Sequence, residues 1–355
     1  MTERNYGLDI ARCAAMCGII TLHFLGAGGV LIGPEIGSVK YWGVWFIEII
    51  AYCSVDLFAL LSGYLGINSK KKSVYRVIEL VVVVVFYCLL ITVVCRMLNI
   101  GNYSSWKRYV VYVFPYLFGR YWYIVCYIPL GIIQPYINKM LLSLTEKQHA
   151  IVCYVAVLFL GLLPVAFRNE MFAINRGYSF VWLVVCYAIG ALLKRRESRY
   201  DRALPLTGIL VGCAIVLLMG NVFLYWVRGH FYQYFIEYNS PFILLMSISM
   251  LLLFKKLQVK KMKNITVLLS GLAFDVYIIH CHILIFDYVI RDRFVGVVPF
   301  SIPIIWGIIV GSAILAFCIL SVIGYGRMFV FEKCKINNLM RWVANRIDPI
   351  LYKDF

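Results

Sequence analysis

The stretch IPIIWGIIVGSAILAFCIL, Ile302 to Leu320, runs without a single charged residue. A helix needs about 20 apolar residues to cross the hydrocarbon core of a bilayer, so this stretch alone nearly suffices for one span. The run Leu80 to Val85 is equally apolar. Strands of a transmembrane β-barrel alternate apolar and polar residues. The unbroken runs therefore indicate membrane-spanning helices rather than a barrel.

The composition of the whole chain agrees with this interpretation. Its 355 residues are 63% hydrophobic and 14% charged, whereas soluble domains carry about 25% charge. A soluble enzyme, a disordered chain and a secreted disulfide scaffold are thereby excluded. We predict an all-α polytopic membrane protein of about ten transmembrane helices. The predicted helices cover residues 8–28, 42–66, 74–97, 121–142, 148–167, 177–194, 204–226, 241–254, 266–288 and 299–326.

The distribution of basic residues predicts the orientation of these helices. Cytoplasmic loops retain Lys and Arg, and an N-terminus inside places 23 of the 34 basic residues on the cytoplasmic side and 10 outside. We therefore expect both termini in the cytoplasm, with a ten-helix domain over 1–326 and a basic, amphipathic cytoplasmic tail over 327–355. The net charge of +17 is then explained by anionic lipid headgroups, and no nucleic-acid partner is expected.

The first predicted helix contains three ionisable residues, Asp9, Arg12 and His23. Each costs about 2.5–3.5 kcal/mol at the centre of a membrane helix. At about 100° and 1.5 Å per residue, Arg12 and His23 share one face and lie about 16.5 Å apart. Two interpretations stay open. In the first, Asp9 and Arg12 form an ion pair at the membrane interface and His23 is a residue hydrogen-bonded between helices. In the second, a substrate path has an anion site below and a titratable base above.

Four motifs then resemble one known family. Leu8 to Arg12 reads LDIAR and is followed by His23, and Val55 to Leu65 reads VDLFALLSGYL. Arg120 to Tyr123 reads RYWY, and Phe274 to His280 reads FDVYIIH. In this order they resemble the membrane-bound acyltransferase-3 family, integral membrane sugar O-acyltransferases. The chain departs from the family pattern at Ser73, where many relatives carry an arginine, and at Asp275.

The resemblance implies an acyl-CoA-dependent O-acyltransferase in the cytoplasmic membrane of a bacterium. Acetyl-CoA, or another acyl-CoA, would bind from the cytoplasm, and the acceptor would be a glycan or lipid-linked sugar on the far side. His23, which desolvation should keep neutral, is the predicted general base. An acyl-histidine intermediate is the alternative mechanism. The residues predicted to hold the coenzyme A phosphates are Arg12, Lys70, Lys71, Lys72 and Arg76.

Other residues receive supporting roles. Glu48 either orients the His23 imidazole or pairs with an outer arginine. Asp56 organises the contact between the first and second helices or binds a cofactor amide, and Ser62 either binds the cofactor or permits close helix packing. His280 is the second catalytic candidate, as an oxyanion donor or acceptor binder. Trp122 and Tyr123 are expected to line the acceptor entrance.

A metal is not expected. His282 follows His280 by two residues and points about 200° away on a helix, and no Cys/His spacing resembles a zinc motif. The main alternative function is a transporter or flippase for a lipid-linked or acylated sugar, because intramembrane charges fit that class as well. A structural subunit of an envelope assembly is a third possibility. Only the enzyme would consume a thioester.

Overall fold

The computed structural model describes residues 4–69, 73–169, 171–197, 205–231 and 233–353, and within these ranges every regular element is helical. The all-α fold predicted from the sequence is confirmed. In chain order the helices are α1 Tyr6–Leu25, α2 Val39–Gly66, α3 Tyr75–Met97, α4 Trp106–Val113, α5 Trp122–Ser143, α6 Glu146–Phe167, α7 Phe180–Arg195, α8 Leu206–Arg228, α9 Pro241–Lys255, α10 Lys263–His280, α11 Ile283–Val297, α12 Ile302–Lys333 and α13 Ile336–Leu351.

Helical segments occupy all ten predicted places. Within the described ranges, seven helices are long and apolar enough to cross a membrane, and α10 and α11 together form an eighth candidate span, bent by 64°. The remaining two segments, α7 and α9, have 16 and 15 residues, fewer than the about 20 that a straight span needs. The chain is thus a multi-pass membrane protein in which broken and short helices accompany full-length ones.

Helix α2 is the centre of the bundle. In the most apolar stretch of α2, 78% of the residues are buried inside the protein, whereas the corresponding fraction for α8 is 22%. Most of the surface of α8 is therefore available to lipid. Two glycines allow α7 to pack closely on α2. A Cβ on Gly63 would lie 1.9 Å from the carbonyl oxygen of Tyr187, and a Cβ on Gly190 would lie 2.1 Å from that of Leu60. The two backbones therefore meet where any larger residue would clash.

Several helix ends meet at one end of the bundle. The side chain of Asn5 donates to the carbonyl of Lys255 at the end of α9. Lys255 in turn forms an ion pair with Glu197, just beyond α7, at 3.3 Å. The hydroxyl of Tyr64, near the end of α2, donates to the same carboxylate at 2.7 Å. The start of α1 and the ends of α2, α7 and α9 therefore lie close together. The sequence predicts all four of these helix ends on the cytoplasmic side.

The C-terminal segment differs from the predicted tail. Helix α12 continues past residue 326 to Lys333, and Arg327 is buried within it. Its guanidinium pairs with Asp275 of α10, with Nε to Oδ1 at 2.7 Å and Nη2 to Oδ2 at 3.2 Å. The hydroxyl of Tyr87 on α3 donates to the same carboxylate at 2.8 Å. Arg327 is thus the partner of a buried carboxylate rather than a basic residue of a tail, and the pair accounts for Asp275.

Helix α13 is amphipathic and packs on the start of α3. Met340 and Ala344 are buried, whereas Leu339 and Trp342 are exposed. The carboxylate of Asp348 accepts a hydrogen bond from the backbone N–H of Val74 at 2.8 Å. Because the first N–H groups of a helix lack partners within it, this contact fixes the C-terminal helix to the beginning of α3.

Candidate active site

A cavity of about 170 Å³ lies between α1, α2, α5, α10 and α11. His23, Val55, Tyr123 and Cys281 line it, one from each of the first three helices and one from the junction of the last two. A cavity of about 150 Å³ in another protein holds a benzene molecule. The space therefore suits the reacting ends of two substrates rather than either whole molecule.

One face of α1 leads from this cavity toward the predicted cytoplasmic end. Arg12, Met16, Ile19 and His23 follow one another at spacings of four, three and four residues, which place them in one stripe on a helix. Met16 and Ile19 line the same cavity as His23. The predicted common face of Arg12 and His23 is therefore present, and the cavity extends along it to within one turn of Arg12.

His23 forms a hydrogen-bonded pair with His280. The Nδ1 atom of His23 lies 3.0 Å from Nε2 of His280, and Nδ1 of His280 lies 2.7 Å from the carbonyl oxygen of Val276. A carbonyl can only accept, so Nδ1 of neutral His280 carries its proton and its Nε2 is an acceptor. His23 must then donate from Nδ1. Its Nε2 is left with a free lone pair, as a general base requires.

The break between α10 and α11 positions this pair. Helix α10 ends at His280, Cys281 follows, and the chain turns by 64° into α11. The ring of His282 is fully occupied by the backbone, because Nδ1 accepts from the N–H of Leu284 and Nε2 donates to the carbonyl of Tyr112. His282 thus stabilises the break and takes no part in the His23 pair.

Residues 119–123 form a wall of the cavity, and every one of them lines it. Gly119 and Tyr121 both adopt left-handed backbone conformations, with φ of 72° and 56°. This is unfavourable for a tyrosine, and a hydrogen bond from its buried hydroxyl to the carbonyl of Ile278, at 2.7 Å, holds it in place. The bond joins the start of α5 to the helix that ends at His280.

A sequence model of the acyltransferase-3 family, described as an acyltransferase domain, matches residues 5–323 of the chain. The chain belongs to the acyltransferase-3 family. The matched range includes every residue of the cavity described above, and the family predicted from the four motifs is confirmed. No curated protein and no solved structure matches this acyltransferase.

Arg12 of the acyltransferase is available for an anion. Asp9 is bound mainly by other groups: Arg4 donates two hydrogen bonds to it at 2.8 Å each, and Ser270 donates one at 2.8 Å. Arg12 approaches Asp9 only to 4.0 Å. Within the described part of the chain its side chain makes no hydrogen bond. The predicted Asp9–Arg12 pair is thus a marginal contact, which leaves the Arg12 guanidinium largely uncommitted.

The other predicted donor-binding residues of the acyltransferase are less defined. Arg76 is exposed on the first turn of α3. Lys70, Lys71 and Lys72 lie outside the described residues, so their contact with phosphates stays a prediction. The hydroxyl of Ser62 donates to the carbonyl of Phe58 at 3.1 Å, and its neighbour Gly63 makes the close contact with α7. The structure thus gives Ser62 a packing environment.

Two buried carboxylates on α2 are separate from the histidine pair. Glu48 is 5% exposed, and its Oε2 has no hydrogen-bond partner among the described residues. His280, and not Glu48, therefore orients the His23 imidazole in this structure. Asp56 accepts a hydrogen bond from the indole of Trp182 on α7 at 3.1 Å, which is a helix contact, although to α7 rather than α1.

Aromatic side chains form the outer wall of the cavity, where Trp122 and Tyr123 were expected. Trp122 stacks on Tyr238 with ring centroids 5.8 Å apart, and both rings contact Tyr178. Burial, together with the neighbouring Tyr178, raises the pKa of Tyr238 well above its usual value, so this hydroxyl stays protonated and can donate. The hydroxyl of Tyr123 is buried without a partner in the described ranges. Such a wall offers both stacking surfaces and hydrogen bonds to a sugar.

Most of the residues that line the cavity were not predicted as site residues, among them Arg120, Tyr121, Tyr238 and Cys281. Arg120 and Tyr121 belong to the RYWY motif, of which only Trp122 and Tyr123 were expected to line the acceptor entrance. The Arg120 guanidinium lies 3.7 Å from Asp287. Cys281 is adjacent to His280 in the sequence, and this adjacency was the available signal. Tyr238 carries no local signal, because a loop residue reaches the cavity only through the tertiary fold.

Proposed function

We propose that this acyltransferase moves an acyl group, in the first instance acetyl, from cytoplasmic acyl-CoA to a hydroxyl of a glycan or lipid-linked sugar on the far side of a bacterial cytoplasmic membrane. One observation carries the proposal. His23 lines the cavity with its Nε2 lone pair uncommitted, while Arg12 stands on the same helix face toward the predicted cytoplasmic end.

The donor side follows from charge. Coenzyme A is polyanionic at its nucleotide end and long and thin at its pantetheine end. Arg12 and Arg76, with Lys70 to Lys72 in the segment between α2 and α3, would hold the phosphates. The pantetheine arm would then run along Met16 and Ile19, which line the cavity below His23. This route brings the thioester to the imidazole.

The chemical step is direct transfer. The acceptor hydroxyl oxygen attacks the thioester carbonyl carbon as His23 Nε2 takes the hydroxyl proton. The new C–O bond forms, the C–S bond breaks, and the proton passes from His23 to the departing sulfur, so the products are an ester and free coenzyme A. General-base catalysis contributes about 10²–10⁴-fold. The cavity-lining cation Arg120 can stabilise the oxyanion. The transfer itself needs no metal.

Thioester consumption tests the proposal. Purified protein in lipid nanodiscs, given acetyl-CoA and a membrane glycolipid extract, should release free thiol and form an acetyl ester. Removing the base in His23→Ala should lower the rate at least about 10²-fold while acetyl-CoA binding is retained. His230→Ala, at an exposed outer position, is the matched control. A transporter would release no thiol, and a fully active His23→Ala variant would overturn the role of His23. A thiol burst before acceptor is added would indicate the acyl-histidine route.

Arg12→Gln tests the donor path. Because a charge-assisted hydrogen bond is worth about 1.5–3 kcal/mol, the KM for acetyl-CoA should rise about tenfold or more, with kcat little changed. Lys147→Gln removes the same charge at an exposed position and should leave KM unaltered. Steady-state kinetics at varied acetyl-CoA decide the matter. An equal KM for Arg12→Gln and the parent protein would exclude Arg12 from donor binding.

A further inference from the structure

Three metal-binding atoms meet at the break between α10 and α11. The Sγ atom of Cys281 lies 3.4 Å from Nε2 of His280 and 3.8 Å from Nδ1 of His23, and the two nitrogens are 3.0 Å apart. The histidines are 257 residues apart in the sequence. Because the ligands are so far apart in the sequence, no local Cys/His spacing predicts this cluster, and a metal was not expected from the sequence.

The three separations match a tetrahedral zinc site. With Zn–N bonds of about 2.0–2.1 Å and Zn–S bonds of about 2.3 Å, tetrahedral angles place two nitrogen ligands about 3.3 Å apart. A nitrogen and a sulfur ligand would be about 3.6 Å apart. Each observed separation is within about 0.3 Å of these values. The ligand atoms thus need only small side-chain rotations to surround one cation.

The surroundings of His280 also suit a ligand. Metal-binding histidines usually donate the other ring N–H to a carbonyl or carboxylate, which fixes the tautomer. Nδ1 of His280 makes such a bond to Val276 at 2.7 Å, so the lone pair of Nε2, which accepts from His23 in this structure, is the one that would coordinate a metal. His23 and Cys281 line the cavity, so the fourth position of the cation would face it. This is the open arrangement of three protein ligands.

We propose that His23, His280 and Cys281 form a binding site for a borderline-soft divalent cation of the Zn²⁺ type. The two-nitrogen, one-sulfur ligand set excludes Mg²⁺ and Ca²⁺, which take oxygen ligands. Binding converts the Cys281 thiol to a thiolate and releases one proton. Nδ1 of His23 gives its lone pair to the metal, so the proton of that ring moves to Nε2.

This change of tautomer makes metal binding and base catalysis mutually exclusive. With the metal bound, Nε2 of His23 carries a proton and can no longer accept one from a hydroxyl. The cation is therefore an inhibitor of acyl transfer. The inhibition rests on the proposed function, whereas the binding rests on the three ligands alone.

Cobalt substitution tests the binding. Metal-free purified protein titrated with Co²⁺ should develop, at one equivalent, the absorption of a tetrahedral site with a thiolate-to-metal charge-transfer band, and Zn²⁺ should displace it while Mg²⁺ does not. Cys281→Ala should abolish the band. Cys318→Ala, an exposed cysteine on α12, should retain it. A titration without the band, or a band unchanged in Cys281→Ala, would overturn the site.

Inhibition is measured separately on the same preparation. Zn²⁺ should block thiol release at the concentration at which it displaces Co²⁺, and a chelator should restore it. Unchanged transfer with the site filled would refute the exclusive use of His23. If the metal-free protein transfers no acyl group at all, the proposed function fails, while the cobalt spectrum still decides the metal site.

Discussion

At the residue scale, the contacts of His280 predict its role. Both ring nitrogens are engaged, one with Val276 and one with His23, so neither is free to bind an oxyanion. In the proposed acyl transfer, we expect His280 to hold His23 in the tautomer that exposes Nε2, as a positioning residue. This differs from the oxyanion or acceptor role expected from the sequence, although the expected proximity to His23 is present.

His280→Ala should therefore lower kcat about 10–100-fold, with little change in the KM for acetyl-CoA. His280→Gln retains an acceptor oxygen on a side chain of similar reach and should recover much of this loss. Comparing the two kcat values at several pH values separates positioning from packing, because a purely structural defect would affect the variants according to size alone. Equal activities for Ala and Gln would contradict the positioning role.

At the residue scale, the sequence predicted the relations between residues of the same helix. Arg12 and His23 share one helix, so their common face follows from helix geometry. The partner of His23 lies on another helix: the sequence offered Glu48 on the ground of similar depth in the membrane, whereas His280 is the residue that forms the hydrogen bond. Only packing distinguishes them.

At the element scale, the contact between α2 and α7 depends on two glycines. Gly63→Ala would place a methyl group 1.9 Å from the Tyr187 carbonyl oxygen and force the helices apart, at a cost of about 1–3 kcal/mol. Gly212→Ala on α8 meets nothing within 4 Å and should be neutral or stabilising, because alanine is the better helix former. Thermal unfolding in nanodiscs measures both. An unchanged midpoint for Gly63→Ala would show that this contact is not tight in the bilayer.

Hydropathy was sufficient to place the ten predicted helical segments in order, but seven or eight of them, rather than ten, are candidate spans in the described ranges. It could not predict the end of α12, which continues through Arg327 because a buried carboxylate on another helix receives that charge. It also could not predict the bend at Cys281, which depends on the hydrogen bonds of His282 to the backbone.

At the scale of the whole molecule, the buried group of Asp275, Arg327 and Tyr87 joins three helices. Arg327→Met leaves a carboxylate buried without its counter-charge and should destabilise the protein by about 3–5 kcal/mol. The double variant Asp275→Leu with Arg327→Met removes both charges and should recover a large part of that loss. Lys333→Met, at an exposed position of α12, is the control. Chemical denaturation of the parent protein, Arg327→Met, Asp275→Leu and the double variant gives the coupling, and additive losses in the double variant would exclude it.

The small volume of the cavity has a consequence for donor choice. In the proposed transfer, the thioester carbon, the attacking hydroxyl and His23 would share about 170 Å³, and aromatic side chains of α5 and the loop before α9 bound this space. Each methylene added to the acyl group occupies room that the incoming alcohol needs. The volume of the cavity therefore limits the length of the acyl group, and we expect two-carbon groups to be transferred in preference to succinyl or fatty chains.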